Sequence, residues 1–318
     1  MKGKLALSMI FTLAAIIGIT TLAFAFILDY LGLFDITTLA ILVIGFNIFQ
    51  WLIGPYVINM LYNVKEADPV EHAELYYIVK RLSAKAGLPT PKLMIANMPI
   101  PNAFAYGSPL TGNMVAVTQG LLDVLDEEEI EAVIGHELGH LKHRDVQIMM
   151  LVSMLPSIFY IIARSALLYG GRREREGGST VAIGIASLLV YWILTLLTLH
   201  LSRLREYYAD EFSIQLAPSI RDGARRLAEA LAKIVLSTAK MSSMGIAPRV
   251  PGFKALLIAD PDSAIRDARE LTSSDWRLVE RVASREVTLA DQLMELLSTH
   301  PNVVKRIRRL LRIAEQAR

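Results

Sequence analysis

Residues Asp126–Asp145, with the sequence DEEEIEAVIGHELGHLKHRD, are the segment around which the rest of the chain can be interpreted. Asp126 is a typical helix N-cap, and Glu129 follows at the spacing of a capping box. Apolar residues then recur at helical spacing, so the segment predicts a helix that begins after Asp126 and continues through His136 and His140. Because these two histidines are four positions apart, they share one face of that helix.

The motif His136-Glu137-Leu138-Gly139-His140 has the form H-E-x-x-H. Two imidazoles on one helix face can bind one zinc ion, and the glutamate after the first histidine can act as general base on the attacking water. The alternative is a pair of surface histidines on an ordinary helix. Gly139 lowers helix stability, which indicates that a substrate or a second helix approaches closely at that position.

A third metal ligand must be His, Asp or Glu, because the chain contains no cysteine. His143 lies too close to His140 for the third-histidine spacing of metzincins. Glu206 and Asp210, four positions apart after a long apolar segment, are the best candidates. Glu206 would bind the metal, and Asp210 would accept the second N–H of a ligating histidine. A solvated acidic pair is the alternative interpretation of the same spacing.

The composition indicates a membrane protein. Hydrophobic residues make up 53% of the 318 residues, charged residues make up 20%, and the mean hydropathy is +0.41. The apolar residues concentrate in four segments long enough to cross a bilayer, which are Leu5–Leu28, Ile36–Val64, Val146–Ala163 and Gly177–Ser202. The first segment contains Ala23-Phe24-Ala25, which resembles a signal-peptide cleavage site. Since the apolar run continues past this triplet, the segment predicts a retained anchor.

These segments predict the domain organisation. We expect an N-terminal transmembrane hairpin at residues 1–64 and a second membrane helix pair at 146–202. The first half of a soluble domain, with the hairpin and the H-E-x-x-H helix, would occupy 65–145. Its second half, with the third metal ligand, would occupy 203–318.

The distribution of basic residues predicts the orientation in the membrane. Lys2 and Lys4 precede the first apolar segment, whereas the loop after it carries Asp29 and Asp35. The positive-inside rule therefore places the N-terminus and the soluble domain in the cytoplasm. The basic loop within 171–178 disfavours a full crossing by the second pair, so a re-entrant hairpin stays open there.

The soluble segments predict a small α+β domain. A helix is expected over Val70–Ala86 and a strand over Lys92–Ala96, followed by a hairpin with arms Asn102–Gly107 and Met114–Thr118. The edge of such a hairpin can receive an extended peptide by strand addition. A purely structural hairpin is the alternative.

The end of the chain predicts a helix after Pro301, where apolar residues recur at helical spacing. Its basic residues are expected either in solvent or against anionic lipid headgroups, and they are Lys305, Arg306, Arg308, Arg309 and Arg312. His300 lies at the start of this helix. It can serve as an additional donor to the oxyanion of an acyl-transfer reaction, or it can be a loop histidine with a local hydrogen bond.

The chain resembles the M48 family of membrane-bound zinc metallopeptidases, in particular its HtpX-like, heat-shock-associated branch. The matching motifs follow one another along nearly the whole chain, and they are Asn102-Ala103-Phe104-Ala105 with Gly107, His136–His140 followed by Asp145, Arg203-x-Arg205-Glu206-x-x-Ala209-Asp210, and Ser298-Thr299-His300-Pro301 followed by Arg306-Ile307. The resemblance implies His136, His140 and Glu206 as ligands of one zinc ion, with Glu137 as the catalytic acid and base. It also implies Asp210 as a supporting residue and His300 as a second catalytic residue, and the hairpin edge predicts that substrate binds along Asn102–Ala105. The role of Ser263–Val287 stays open, because this stretch is longer and more charged than the family pattern leads us to expect.

The expected fold is a mainly α membrane protein, with four transmembrane or membrane-embedded helices and a zincin-like α+β metalloprotease domain. The family resemblance implies an endopeptidase of the cell (inner) membrane that degrades misfolded or damaged membrane proteins. Its partners would be the lipid bilayer and unfolded or membrane-protein polypeptides.

Two other functional classes stay open. One is a specific processing peptidase of the CAAX prenyl-protein type, although such enzymes contain more membrane helices than this chain predicts. The other is a non-catalytic membrane scaffold that retains a metal site, which the intact Glu137 disfavours. A net charge of +2 gives no nucleic-acid signal, and nothing in the sequence sets an oligomeric state.

Overall fold

The computed structural model describes residues 35–169, 177–243 and 275–317. The helices are α1 (Ile36–Leu61), α2 (Ala73–Ala86), α3 (Gln119–Leu122), α4 (Glu127–Lys142), α5 (Asp145–Tyr169), α6 (Gly177–Leu216), α7 (Ile220–Ser243), α8 (Asp275–Ser284), α9 (Leu289–Leu296) and α10 (Val303–Gln316). The strands are β1 (Val64–Glu66), β2 (Lys92–Ala96), β3 (Ala103–Ser108) and β4 (Gly112–Thr118). Over these described ranges the chain is thus mostly helical, with one small sheet, as its sequence predicts.

The described residues fall into two compact units. One contains residues 35–52, 147–169, 177–202 and 296–298, and the other contains 53–146, 203–243, 275–295 and 299–317. The first unit holds most of the apolar helical sequence, and the second holds the sheet and the H-E-x-x-H motif.

Three helices of the described chain are long and apolar enough to cross a membrane, at Thr37–Leu61, Asp145–Leu168 and Val181–Leu216. Only 11%, 24% and 17% of their apolar windows are buried within the protein. Long apolar helices with so little buried surface are suited to lipid rather than to water. The sequence predicts four spans, and the described residues contain three candidates. The remaining predicted span, Leu5–Leu28, lies outside the described residues.

Helix α6 continues beyond the predicted apolar segment. The apolar run ends at Ser202, but the helix goes on through Arg203 and ends only at Leu216. One helix therefore carries both a candidate membrane span and the acidic residues Glu206 and Asp210.

The sheet has the strand order β1-β2-β4-β3. Strands β3 and β4 form the predicted antiparallel hairpin, in which Ala105 pairs with Val115. Strand β2 pairs parallel to β4, whereas β1 pairs antiparallel to β2. The hairpin strand β3 consequently lies at one edge of the sheet, and both faces carry buried apolar residues.

Helix α4 begins with the predicted capping box. The Asp126 side chain accepts a hydrogen bond from the Glu129 backbone N–H at 3.0 Å, and Glu129 Oε2 accepts one from the Asp126 N–H at 3.0 Å. The apolar side of the helix, including Ile134 and Leu138, is fully buried in the larger apolar core of this unit. Capping and burial together fix the helix that carries the two motif histidines.

Candidate metal centre

The candidate metal centre is formed by side chains of α4 and α6. Atoms of His136, His140 and Glu206, one from each residue, all lie within 4.8 Å of one another. The two Nε2 atoms of His136 and His140 are 3.2 Å apart. Glu206 places Oε1 at 3.5 Å from His140 Nε2 and Oε2 at 3.7 Å from His136 Nε2.

These separations fit a tetrahedral zinc ion. Two donor atoms that each bind zinc at about 2.0–2.1 Å lie about 3.4 Å apart in a tetrahedral site. The distances of 3.2, 3.5 and 3.7 Å bracket that value. Two imidazole nitrogens and one carboxylate oxygen are also a donor set that zinc uses in catalytic sites, where a fourth position is left for water or substrate.

Each histidine has a carboxylate on its far nitrogen. His136 Nδ1 lies 2.9 Å from Asp210 Oδ1, and His140 Nδ1 lies 2.7 Å from Asp145 Oδ2. A proton held on Nδ1 by a carboxylate leaves the lone pair of Nε2 available to a metal ion. Both rings therefore present Nε2 toward Glu206 in the tautomer that metal binding requires.

The turn after α4 brings Asp145 back to the histidine. Arg144 adopts a left-handed conformation, with φ of 55°, at the junction between α4 and α5. Arg205 Nη2 then donates to the Asp145 carboxylate and, at 2.8 Å, to the His143 carbonyl oxygen. The pair formed by Arg205 and Asp145 thus holds the carboxylate that orients His140.

Arg306 of α10 is a central part of the site, which corrects the expectation that it faces solvent or lipid headgroups. It is 1% exposed. Its Nε and Nη2 lie 3.0 and 2.5 Å from the two oxygens of Asp210, and its Nη1 lies 3.0 Å from Glu206 Oε2. The expectation fails because Arg306 lies in the buried stripe of α10 with Val303 and Leu310, and not on the faces between.

The electrostatic environment of the ligands favours a cation. Burial alone lowers the pKa of His136, but the carboxylates of Asp210 and Glu206 outweigh burial and raise this pKa to about 10. A local potential that favours a proton on this ring also favours a metal ion next to it. The charge of Arg306, which pairs with Glu206 and Asp210, offsets part of this negative charge.

Glu137 lies beside the ligands, and its carboxylate faces the sheet edge. Its Oε2 accepts a hydrogen bond from the Ala105 backbone N–H at 2.7 Å. The residue is 4% exposed, and burial raises the pKa of its carboxyl above the ordinary value, although the neighbouring histidines oppose this shift. The structure therefore positions one carboxylate between the histidine pair and strand β3.

Two glycines of α4 allow α6 to approach. A Cβ atom on Gly139 would lie 3.0 Å from Ala209 Cα, and one on Gly135 would lie 3.0 Å from Ser213 Oγ. Ser213 Oγ donates to the Ala132 carbonyl oxygen at 2.5 Å and ties the two helices together. The predicted close approach at Gly139 is thus the approach of a second helix, and it is what brings Glu206 to the histidines.

The other site residues predicted from the sequence are His300 and the segment Asn102–Ala105. His300 Nδ1 is 3.1 Å from Glu206 Oε1, so this histidine contacts the ligand carboxylate. In Asn102–Ala105, Ala105 touches Glu137, whereas the Phe104 side chain packs in the core on the other side of the sheet. Asn102 is fully buried, and its backbone N–H donates to Thr118 Oγ1 at 2.8 Å.

Sequence reasoning did not assign Asp145, Arg205 or Arg306 to the site, although all three occur in the quoted motifs. A signal for Asp145 was its position shortly after His140, where a sharp turn can bring it back to the ring. A signal for Arg306 was its spacing from Val303 and Leu310, which places the arginine on the apolar stripe.

Comparison with known proteins gives consistent matches over most of the chain. The family model described as Peptidase family M48 matches residues 69–314. The protein named Protease HtpX homolog of Aeropyrum pernix is 38% identical over 284 residues, covering 87% of this chain and 86% of that protein. The protein of the same name from Thermoplasma volcanium is 36% identical over 277 residues, covering 87% and 83%.

A solved structure shares the fold. The crystal structure of S. mikatae Ste24p superposes with a TM-score of 0.55 at 17% sequence identity, covering 97% of this chain. This chain spans 66% of the Ste24p chain. At that identity the likeness is one of fold.

Proposed function

The chain belongs to peptidase family M48, and from that premise we propose that His136, His140 and Glu206 hold the catalytic zinc ion, with Glu137 as general base. The protein is a zinc-dependent membrane metalloprotease. The assignment of the zinc ligands and the general base rests on one geometric observation. The ligand atoms of two histidines and one glutamate lie within 4.8 Å of one another, next to the buried carboxylate of Glu137.

The reaction can be described through these residues. A zinc ion held by these residues would act as a Lewis acid on the scissile carbonyl and would lower the pKa of water to about 7. Glu137 accepts the proton of the attacking water and delivers it to the departing amine. The Ala105 N–H, 2.7 Å from Glu137 Oε2, holds one oxygen of the base in place. Asp210 and Asp145 keep the two ligand rings in the tautomer with Nε2 free.

His300 is proposed as the donor that stabilises the oxyanion of the reaction. Its ring is 27% exposed, so it remains accessible to substrate, and its Nδ1 lies 3.1 Å from Glu206 Oε1. Preorganised donors of this kind contribute mainly to turnover rather than to metal binding. The same contact with Glu206 gives His300 a second effect, which is to orient a metal ligand.

The substrate polypeptide is proposed to bind along the edge strand β3. Edge strands present backbone N–H and C=O groups that an extended peptide can pair with, and this mode tolerates many side chains. Ala105 is the partly exposed residue of the segment Asn102–Ala105, and it contacts the base directly. The buried side chains of Asn102 and Phe104 would keep the strand in place, so recognition there would be through the main chain.

The physiological role that these features support is degradation of misfolded or damaged membrane proteins at the cell (inner) membrane. Recognition through the main chain suits a protease that acts on many sequences. The basic residues near the N-terminus favour a protease domain that faces the cytoplasm. In this arrangement residues 1–64 form a transmembrane hairpin and residues 146–202 form a second membrane pair. The protease domain is formed by residues 65–145 and 203–318.

Digestion of an unfolded protein such as casein by the purified full chain tests the assignment. Glu137→Gln should retain zinc but lose at least about 10²–10⁴-fold in kcat, the contribution of a general base. Glu131→Gln is the matched control, because Glu131 lies on the same helix and pairs with Arg81 on the surface. Equal digestion by the wild type and Glu137→Gln would end the proposal for the base.

Comparing casein with a prenylated C-terminal peptide separates general degradation from processing of the CAAX type. Strand addition to β3 predicts that casein is cut at several sites. Cleavage confined to the prenylated peptide would replace the quality-control role while leaving the catalytic assignment intact.

A further inference from the structure

The short helix α9 has an exposed apolar side. Leu289 is 78% exposed and Leu293 is 65% exposed, and the two residues are four positions apart on one helix face. Leu296, at the end of the helix, is 52% exposed. A helix of a soluble domain normally turns such a stripe toward the core, so an outward stripe indicates a partner for this face.

The acidic residues of α9 do not lie on that side. Asp291 is 7% exposed, and its Oδ2 accepts hydrogen bonds from the backbone N–H and hydroxyl group of Thr288 at 3.1 and 2.8 Å. The Glu295 side chain is 12% exposed and pairs with Lys305. The outward side of α9 therefore presents leucine without an accompanying carboxylate, which suits an apolar medium better than a charged protein surface.

The end of α9 is continuous with the membrane part of the chain. Residues 296–298 belong to the compact unit that contains the candidate membrane helices, whereas residues 275–295 belong to the other unit. Arg203, the first residue of α6 after its apolar run, donates from Nη1 to the Glu295 carbonyl oxygen at 2.7 Å and ties the end of α9 to the end of that run. The apolar run of α6 that ends beside α9 selects lipid as the occupant of the exposed side.

We infer that α9 lies in the surface of the lipid bilayer, with Leu289 and Leu293 inserted among the acyl chains near the headgroups. An amphipathic helix in this position buries its apolar side about 5–10 Å into the boundary region. The membrane would then be a direct contact of the catalytic unit, in addition to the spanning helices.

Glu295 connects this lipid contact to the catalytic loop. Its Oε1 accepts a hydrogen bond from the Asn302 backbone N–H at 3.2 Å, and its carbonyl oxygen accepts one from Arg203 Nη1 at 2.7 Å. Asn302 is the N-cap of α10, two residues after His300. A bilayer that holds α9 therefore also holds the segment that carries His300.

Site-specific fluorescence tests the inference directly, because the chain has no native cysteine. Leu293→Cys would be labelled with an environment-sensitive fluorophore in the full chain, reconstituted into vesicles of phosphatidylcholine and phosphatidylglycerol. The matched controls are Gln292→Cys and Tyr77→Cys. Gln292 is the exposed residue directly before Leu293 in α9, and Tyr77 is 65% exposed on α2. Casein digestion by each labelled variant shows that the protein is folded.

The expected result is blue-shifted emission from the label at position 293, quenched by lipids that carry a nitroxide on the acyl chain. Labels at positions 292 and 77 should be quenched by aqueous iodide instead. Iodide quenching at position 293 equal to that of the controls would overturn the inference. Protection of position 293 from both quenchers would also overturn it, because a protein segment or a second copy would then cover the leucines.

Discussion

Arg306 and Asp210 form a buried pair in which Nε and Nη2 of the guanidinium lie 3.0 and 2.5 Å from the two carboxylate oxygens. Both residues are at most 2% exposed. Because Asp210 Oδ1 also lies 2.9 Å from His136 Nδ1, the arginine fixes the carboxylate that fixes a metal ligand. Paired hydrogen bonds of this kind depend on the planar shape of the guanidinium, and an ammonium group cannot reproduce them.

Arg306→Lys is therefore expected to weaken zinc binding and activity by about 10–100-fold, the usual effect of losing a residue that orients a ligand. The lysine keeps the positive charge but loses the paired geometry. Zinc affinity from competition with a chelator is the measurement. Arg312→Lys, on the exposed side of the same helix, should behave as the wild type. Wild-type zinc affinity in Arg306→Lys would contradict the positioning role.

Glu206→Gln tests the third ligand. An amide oxygen is a weaker zinc ligand than a carboxylate. We therefore expect the zinc affinity to fall by more than the about 10–100-fold that follows the loss of a supporting residue. Activity should fall with the metal content and recover only partly at high zinc concentration. Glu211→Gln is the control, since Glu211 is 44% exposed and pairs with Arg309 at the surface. Full zinc stoichiometry in Glu206→Gln would require another ligand.

Gly139→Val tests the approach of the two helices. The new side chain would begin 3.0 Å from Ala209 Cα, so α6 must move away and take Glu206 with it. Overpacking of this kind costs about 1–3 kcal/mol in free energy of unfolding, and zinc content should fall as well. Thermal unfolding and metal analysis of the purified protein are the measurements.

Gly54→Ala is the control for that experiment, because a Cβ atom there meets nothing within 4 Å. Alanine is also the better helix former, so the control should be at least as stable as the wild type. If Gly139→Val retained both stability and zinc, the close contact between α4 and α6 would not matter for the site.

His300→Ala is expected to lower kcat by about 10²–10³-fold, as loss of one oxyanion donor does. Most of the bound zinc should remain, because two histidines and Glu206 still hold it. His72→Ala, remote from the site, provides the control for loss of a histidine. An unchanged kcat would leave His300 only its contact with Glu206, and a large loss of zinc would make it a positioning residue.

Much of the fold follows from local patterns in the sequence. The capping box at Asp126, the hairpin of β3 and β4, and the C-terminal helix after Pro301 all occur where the sequence predicts them. These features depend on residues close together in the chain, so their signals are local. The H-E-x-x-H motif is local in the same sense, since its spacing alone places His136 and His140 on one face.

The supporting residues depend on packing between distant segments. Arg306 meets Asp210 across 96 positions of the chain, and Arg205 meets Asp145 across 60. No periodicity specifies which carboxylate a buried arginine will pair with. The basic character of α10 favoured a solvated helix, and only the buried position of Arg306 in the fold shows that one of its charges belongs to the metal centre.

The order of the site residues along the chain also has a consequence for synthesis. His136 and His140 are translated first, Glu206 follows after another candidate membrane helix, and Arg306 comes later still, in α10. A growing polypeptide therefore carries the zinc motif long before the residue that locks Asp210 and Glu206 has been translated. The metal centre is therefore complete only once the chain has been synthesised as far as Arg306, which contacts both Asp210 and Glu206.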